Sequence, residues 1–141
     1  MENVQKMATE RALVVAVVGS RSLTQCPALL ARLNALHEAG GVARVVSGGA
    51  AGADWLAAEW AMLEGVPLVE HLPDYRAHGA GAPLVRNGLV VADADLVLAV
   101  WDGESRGTLD AARKAARLGK RLEWLAAPAP SAAPVAGGLG L

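Results

Sequence analysis

Apolar residues in this chain form short continuous runs, separated by segments in which they recur at helical spacing. Residues 13–18 are a β-branched run without alternation, which is typical of a strand covered on both faces. Between residues 27 and 39, leucines recur at helical spacing and a Gly-Gly pair follows, as expected of an amphipathic helix and its end. The pattern therefore predicts strands and helices in alternation.

The predicted elements cover most of the chain. Strands are predicted at residues 13–18, 42–47, 67–71, 95–101 and 121–125, and helices at residues 27–39, 54–64, 84–92 and 108–118. Such alternation favours an α/β fold with a doubly wound parallel sheet of about five strands, in the order 3-2-1-4-5. We expect this domain at residues 12–125, after a flexible leader (residues 1–11) and before a disordered Ala/Pro/Gly tail (residues 126–141).

The helix predicted at residues 54–64 is apolar over a wide arc. Leu56, Trp60 and Leu63 share one stripe, while Trp55 and Met62 lie on a neighbouring one. One stripe can pack on the sheet. There are two interpretations of the other stripe. It is exposed in a monomer and forms a subunit interface, which predicts a homodimer, or the whole helix is deeply buried.

Composition narrows the classes of function. The chain has 141 residues, 53% of them apolar, so one domain with a substantial core is expected. A net charge of −1 counts against a protein whose main role is to grip long nucleic acid. The single Cys26 excludes an internal disulfide. With no secretory signal and no apolar run of about 18 residues, we predict a cytoplasmic protein without a membrane partner.

Residues 47–54 (Ser-Gly-Gly-Ala-Ala-Gly-Ala-Asp) form a glycine-rich stretch between the second predicted strand and the next helix. Glycines allow the backbone to approach a bound group closely, and a helix N-terminus favours an anion. In a sheet of the predicted order, the loops after strands 1, 2 and 4 meet at the carboxyl edge, where ligands bind. The predicted ligand-binding residues on and near these loops are Gly19, Ser20, Arg21, Ser47, Gly48, Gly49, Gly52, Asp54, Arg86, Asn87, Ser105, Arg106, Gly107 and Thr108.

Small hydroxyls, backbone amides and arginines suit phosphate oxygens, so the implied ligand is a phosphorylated small molecule of the nucleotide type. The chain has neither the Gly-x-x-x-x-Gly-Lys-Ser/Thr loop of NTPases nor a Gly-x-Gly-x-x-Gly after the first strand. No histidine pair has metal-ligand spacing. We therefore predict no metal and no cofactor. Thr108 is predicted to cap the last helix, with a phosphate contact as its second role.

Four motifs occur in a familiar order: Val-Val-Gly-Ser-Arg (17–21), the stretch at 47–54, Pro-x-x-Arg-Asn (83–87) and Ser-Arg-Gly-Thr (105–108). This set resembles the SLOG superfamily of Rossmann-like domains, and is most similar to its small YspA-like branch. The resemblance covers residues 13–125 and implies a nucleotide or nucleotide-derived ligand held by the glycine loops, with frequent dimers.

More distant relatives suggest two further functions. In lysine-decarboxylase-like phosphoribohydrolases, a Pro-Gly-Gly-x-Gly-Thr-x-x-Glu motif supplies the catalytic carboxylate. Here Gly107-Thr108 is similar, but Ala111 stands at the glutamate position, so only Glu104, Asp110 or Asp54 remain as candidate catalytic carboxylates. The core of DprA-type DNA-processing proteins is also similar, which implies binding of single-stranded DNA.

The sequence thus leaves three hypotheses. The first is a sensing or binding module for a nucleotide-type ligand, the second a hydrolase of the nucleotide N-glycosidic bond, and the third a binder of single-stranded nucleic acid. The net charge makes the third the least favoured.

Overall fold

The computed structural model describes residues 11–128, and nearly all of the predicted leader and tail lie outside this range. Its strands are β1 (Leu13–Gly19), β2 (Val42–Ser47), β3 (Leu68–Glu70), β4 (Leu96–Trp101) and β5 (Arg121–Ala126). Its helices are α1 (Pro27–Ala39), α2 (Ala53–Glu64), α3 (Tyr75–His78), α4 (Ala82–Ala92) and α5 (Arg106–Arg117), with a short 3₁₀ turn at Gly79–Gly81.

The five strands form one sheet in the order β3-β2-β1-β4-β5, and every neighbouring pair is parallel. This confirms the predicted fold class and strand order. The order reverses beside β1, so the loops after β1 and β4 separate at the carboxyl edge and leave a crevice between them.

Two apolar layers cover the sheet, and β1 contributes to both. Val15 and Val17 pack with α1 and α2 on one face, whereas Ala16 and Val18 pack with α4 and α5 on the other. All four residues are buried. Because each face of β1 meets helices, the strand needs an uninterrupted apolar run, which is the pattern seen in the sequence.

The start of α5 differs from the prediction. The helix begins at Arg106 with Ser105 as its N-cap, and the Thr108 amide donates a hydrogen bond to Ser105 Oγ at 3.2 Å. The prediction that Thr108 caps this helix is therefore wrong, because the serine three residues earlier takes that role. Thr108 is instead buried in the first turn, where its hydroxyl donates to Ser105 Oγ at 2.8 Å.

The α2 helix has one buried face and one exposed apolar face. Leu56 and Trp60 are buried, and Trp60 Nε1 donates to Asn34 Oδ1 at 2.8 Å. Trp55 and Met62 are 58% and 78% exposed, which excludes a deeply buried helix. Leu63 was expected on the buried stripe, but it is 79% exposed because it lies in the last turn, next to the point where the chain leaves the helix.

Within residues 11–128, no helix has both the length and the apolar character required to cross a membrane.

Candidate ligand-binding site

A cavity of about 490 Å³ lies at the carboxyl edge of the sheet. It is enclosed by the loops after β1, β2 and β4 and by one side of α4. Its lining residues are Val18, Gly19, Ser20, Arg21, Ser22, Gly48, Ala50, Asp54, Pro83, Leu84, Arg86, Asn87, Val90, Asp102, Glu104, Ser105, Gly107 and Thr108.

Most of the residues predicted to bind a ligand line this cavity, together with the candidate catalytic residues Asp54 and Glu104. The predicted residues outside the lining are Ser47, Gly49, Gly52, Arg106 and Asp110. Sequence reasoning did not assign a binding role to Ser22 or Ala50, which also line the cavity. The tertiary fold therefore brings together residues from four separate segments.

The glycine loop after β2 is held in shape by its own hydrogen bonds. Asp54 Oδ2 accepts from the Gly48 amide at 3.1 Å and from the Ala50 amide at 3.2 Å. Ser47 Oγ accepts from the Gly49 amide at 3.3 Å. Three amides that the sequence suggested for phosphate binding are thus already bonded within the loop.

The environment of Asp54 perturbs its acidity. The side chain is buried at the start of α2, and burial raises its pKa from 3.8 to about 6. The two amide hydrogen bonds and the positive charge of Arg86 act in the opposite direction, while the nearby Glu70 adds to the rise. Asp54 therefore titrates close to neutral pH.

This titration predicts a pH-dependent stability. A carboxyl whose pKa is higher in the folded protein than in the unfolded chain destabilises the fold when ionised. That cost is present above about pH 6 and is relieved as the pH falls towards 3.8. From about pH 7.5 to about pH 4.5, the unfolding free energy of the natural protein should rise by about 2 kcal/mol relative to that of Asp54→Asn.

Urea unfolding of both proteins at several pH values measures this difference. The Asn variant is the reference because other carboxyls, such as Asp102, have lowered pKa values and change the stability in the opposite direction. A difference that stays constant across this pH range would contradict the prediction.

Arg86 is a buried cation between the glycine loop and α4. Its Nη1 group donates to the Gly48 carbonyl, and Nε donates to the Pro83 carbonyl at 3.3 Å. A Cβ atom at position 48 would lie 2.6 Å from Arg86 Cδ, so the guanidinium packs directly on a glycine. Arg86 lines the cavity, but its Nε and Nη1 groups already donate to two parts of the cavity wall.

Asp102 organises the loop after β4. Its Oδ1 atom accepts from the amides of Glu104 and Ser105, each at 2.9 Å. Its Oδ2 atom accepts from Ser20 Oγ at 2.8 Å, which links this loop to the one after β1. These hydrogen bonds lower the pKa of Asp102, with the backbone donors contributing most. The carboxylate therefore joins two cavity walls.

The loops after β1 and β2 touch through their backbones. The Ala53 amide donates to the Ser20 carbonyl at 3.1 Å. Gly52 has a φ of +79°, and a Cβ atom there would lie 2.6 Å from Arg21 Cα. Gly52 lies outside the cavity lining because it is pressed against the loop after β1.

The residues around the start of α5 do not reproduce the catalytic carboxylate of the phosphoribohydrolases. Ala111, at the position of that family's glutamate, is buried in the core under the sheet. Asp110 Oδ2 accepts from Asn87 Nδ2 at 3.1 Å and forms an ion pair with Lys114 at 2.8 Å. Asn87 Nδ2 also donates to the Gly107 carbonyl at 3.3 Å, so it fixes α5 against α4.

Several polar groups of the cavity wall have no partner within residues 11–128, among them the guanidinium of Arg21, the carboxylate of Glu104 and the backbone amide of Gly107. Arg21 and Glu104 are exposed, and the Gly107 amide lies in the first turn of α5, where the helix dipole favours an anion. In the same part of the chain, no three His, Cys, Asp or Glu side chains come together as they would to hold a metal ion.

Residues 13–78 match the model of the YAcAr family, described as the YspA, cpYpsA-related SLOG family. The predicted resemblance to the SLOG superfamily is confirmed. The matched residues of this chain contain the loops after β1 and β2. Its α4 helix and the loop after β4 lie beyond the match, so their part in the cavity is known from the geometry alone.

This chain is also similar to a solved structure, that of DNA processing protein A from Helicobacter pylori. The TM-score is 0.60 at 24% identity, and the similarity covers 85% of this chain and 67% of the other. That structure was reported for its mode of single-stranded DNA binding. At this identity the likeness concerns the fold. A search of curated proteins gave no match.

Proposed function

We propose that this domain binds a nucleotide or a nucleotide-derived phosphate ligand in the cavity, as a sensing or binding module. The observation that carries the proposal is that one cavity of about 490 Å³ is lined both by the exposed Arg21 and by Gly107, whose amide has no partner within residues 11–128. A guanidinium and a helix N-terminus both favour phosphate oxygens. Most of the other predicted binding residues line the same cavity and shape its walls.

Thermal unfolding with a panel of nucleoside mono-, di- and triphosphates tests the proposal. At least one nucleotide should raise the melting temperature, because a ligand that binds only the folded state stabilises it. Arg21→Ala should weaken that binding by about tenfold or more, the usual scale for losing a charge-assisted hydrogen bond. Arg76→Ala removes an exposed arginine outside the cavity lining and is the matched control.

Mass spectrometry of small molecules that co-purify with the protein is an independent test. A panel without any stabilising nucleotide, together with the absence of a co-purified nucleotide, would refute the proposal.

Hydrolysis of the N-glycosidic bond is not part of this proposal. The expected glutamate is Ala111, and Asp110 is occupied by Asn87 and Lys114. Incubation with nucleoside monophosphates should therefore release no free base. Release that disappears in Glu104→Gln or Asp54→Asn would favour the enzyme instead.

Single-stranded nucleic acid is the second candidate ligand. The fold likeness to DNA processing protein A favours it, since that protein's structure concerns single-stranded DNA binding. Binding that depends on phosphates should be strongest at low salt. A mobility-shift assay across salt concentrations decides this point, and no shift at low salt would remove the candidate.

We also propose that the domain forms a homodimer through the exposed face of α2. Trp55 and Met62 lie seven residues apart on one side of this helix, which leaves a large apolar surface in a monomer. Light scattering should give a dimer mass for the natural protein and a monomer mass for Trp55→Ser combined with Met62→Gln. A monomer mass for the natural protein would refute this part.

A further inference from the structure

The two carboxylate oxygens of Asp54 have different surroundings. Oδ2 accepts from two amides of the glycine loop, as described above. Oδ1 has no hydrogen-bond partner within residues 11–128. This oxygen retains some solvent access, and Asp54 is one of the residues that line the cavity. The side chain is only 7% exposed, so the free oxygen is reached through the cavity. An acceptor that faces the cavity and meets no protein donor is a natural place for a donor from a ligand.

We propose that Asp54 recognises a hydroxyl or amino group of the ligand through Oδ1, while Oδ2 keeps the glycine loop in shape. This inference rests on the proposed function and assigns a chemical role to one wall of the same cavity. An ionised carboxylate only accepts hydrogen bonds, so it attracts sugar hydroxyls or a base amino group and repels phosphate. The phosphate therefore lies away from Asp54, towards Arg21 and Gly107.

The charges around the cavity fit a ligand of low negative charge. Its lining contains three carboxylates (Asp54, Asp102 and Glu104) and two guanidiniums (Arg21 and Arg86). Arg86 faces Asp54 and partly balances it, while Glu70 lies near the other side of the loop. A polyphosphate would meet net repulsion here, whereas a monophosphate with several hydrogen-bond donors matches the wall.

The first experiment measures binding to the natural protein by calorimetry at about pH 7.5. The probes are adenosine, guanosine, cytidine and uridine 5′-monophosphates, the 2′-deoxy and 3′-deoxy form of each, and inosine 5′-monophosphate. Removing the donor that meets Oδ1 should weaken binding about tenfold or more, because the carboxylate loses a charge-assisted hydrogen bond to the ligand. Loss with a deoxy form identifies a sugar hydroxyl, and loss with inosine or uridine identifies a base amino group.

The second experiment repeats the comparison with Asp54→Asn. The loop amides require an acceptor, so the asparagine oxygen should face the loop and its NH₂ group should face the cavity. The substitution thus replaces the acceptor Oδ1 with an NH₂ donor at the same place. Because two donors cannot bond to each other, the preference for the donor-bearing nucleotide should disappear. Glu70→Gln removes a nearby charge outside the cavity lining, and should keep the preference.

In the natural protein the same preference should also weaken below about pH 6, where Asp54 becomes protonated. Each comparison pairs nucleotides with the same phosphate, so titration of the phosphate cancels. Equal binding of all analogues by the natural protein would overturn this inference and leave the proposed function intact. A preference that survives in Asp54→Asn would also overturn it. No binding of any probe would overturn this inference, and the di- and triphosphates of the thermal-unfolding panel would then decide whether the proposed function stands.

Discussion

Gly52→Ala should destabilise the protein by about 3 kcal/mol, through backbone strain and a steric clash together. Gly52 has a φ of +79° and a ψ of −128°, a conformation that is nearly restricted to glycine. Its new Cβ would collide with the Ser20 carbonyl and lie 2.6 Å from Arg21 Cα, and neither backbone atom can move aside cheaply. The loops after β1 and β2 would have to separate, so the cavity should lose its shape as well.

The matched control is Gly65→Ala. Gly65 also has a positive φ (+70°), but a Cβ atom there meets no other atom within 4 Å. Only the backbone penalty of about 1 kcal/mol should remain. Urea unfolding of the two variants measures the added cost of the clash and of the rarer backbone conformation at Gly52, and equal losses of stability would show that neither contributes.

Arg86→Met should cost about 3 kcal/mol at about pH 7.5, because it leaves buried polar groups without their partner. Methionine retains much of the apolar stem but removes the donors to the Gly48 and Pro83 carbonyls. It also removes the positive charge that favours ionised Asp54, so the pKa of that carboxyl should rise further.

The pH dependence distinguishes this cause from simple loss of packing. Near pH 4.5 Asp54 is neutral with or without the arginine, so the deficit of Arg86→Met should be smaller than at about pH 7.5. Arg106→Met, at an exposed position, should change the stability by no more than about 0.5 kcal/mol. A deficit that does not vary with pH would contradict the electrostatic explanation.

The wrong predictions share a physical origin. Thr108 and Ser105 both suit an N-cap, and the choice depends on where the loop after β4 is pinned by Asp102. Leu63 satisfies the helical period, but its exposure depends on how far the sheet extends beneath α2. Local propensity does not contain either piece of information, because each depends on the position of another part of the chain.

The sequence by itself determined the order of strands and helices, the parallel sheet and the edge at which its loops meet. Those features follow from apolar periodicity and from the short, right-handed connections of α/β folds. Only the tertiary structure decided how the cavity groups are used. The glycine loop suggested a cradle of free amides, but three of its amides are bonded within the loop, two of them to Asp54. Whether an amide, hydroxyl or guanidinium remains available to a ligand depends on distances of about 3 Å between that group and its neighbours in the folded chain. Residue spacing does not encode these distances.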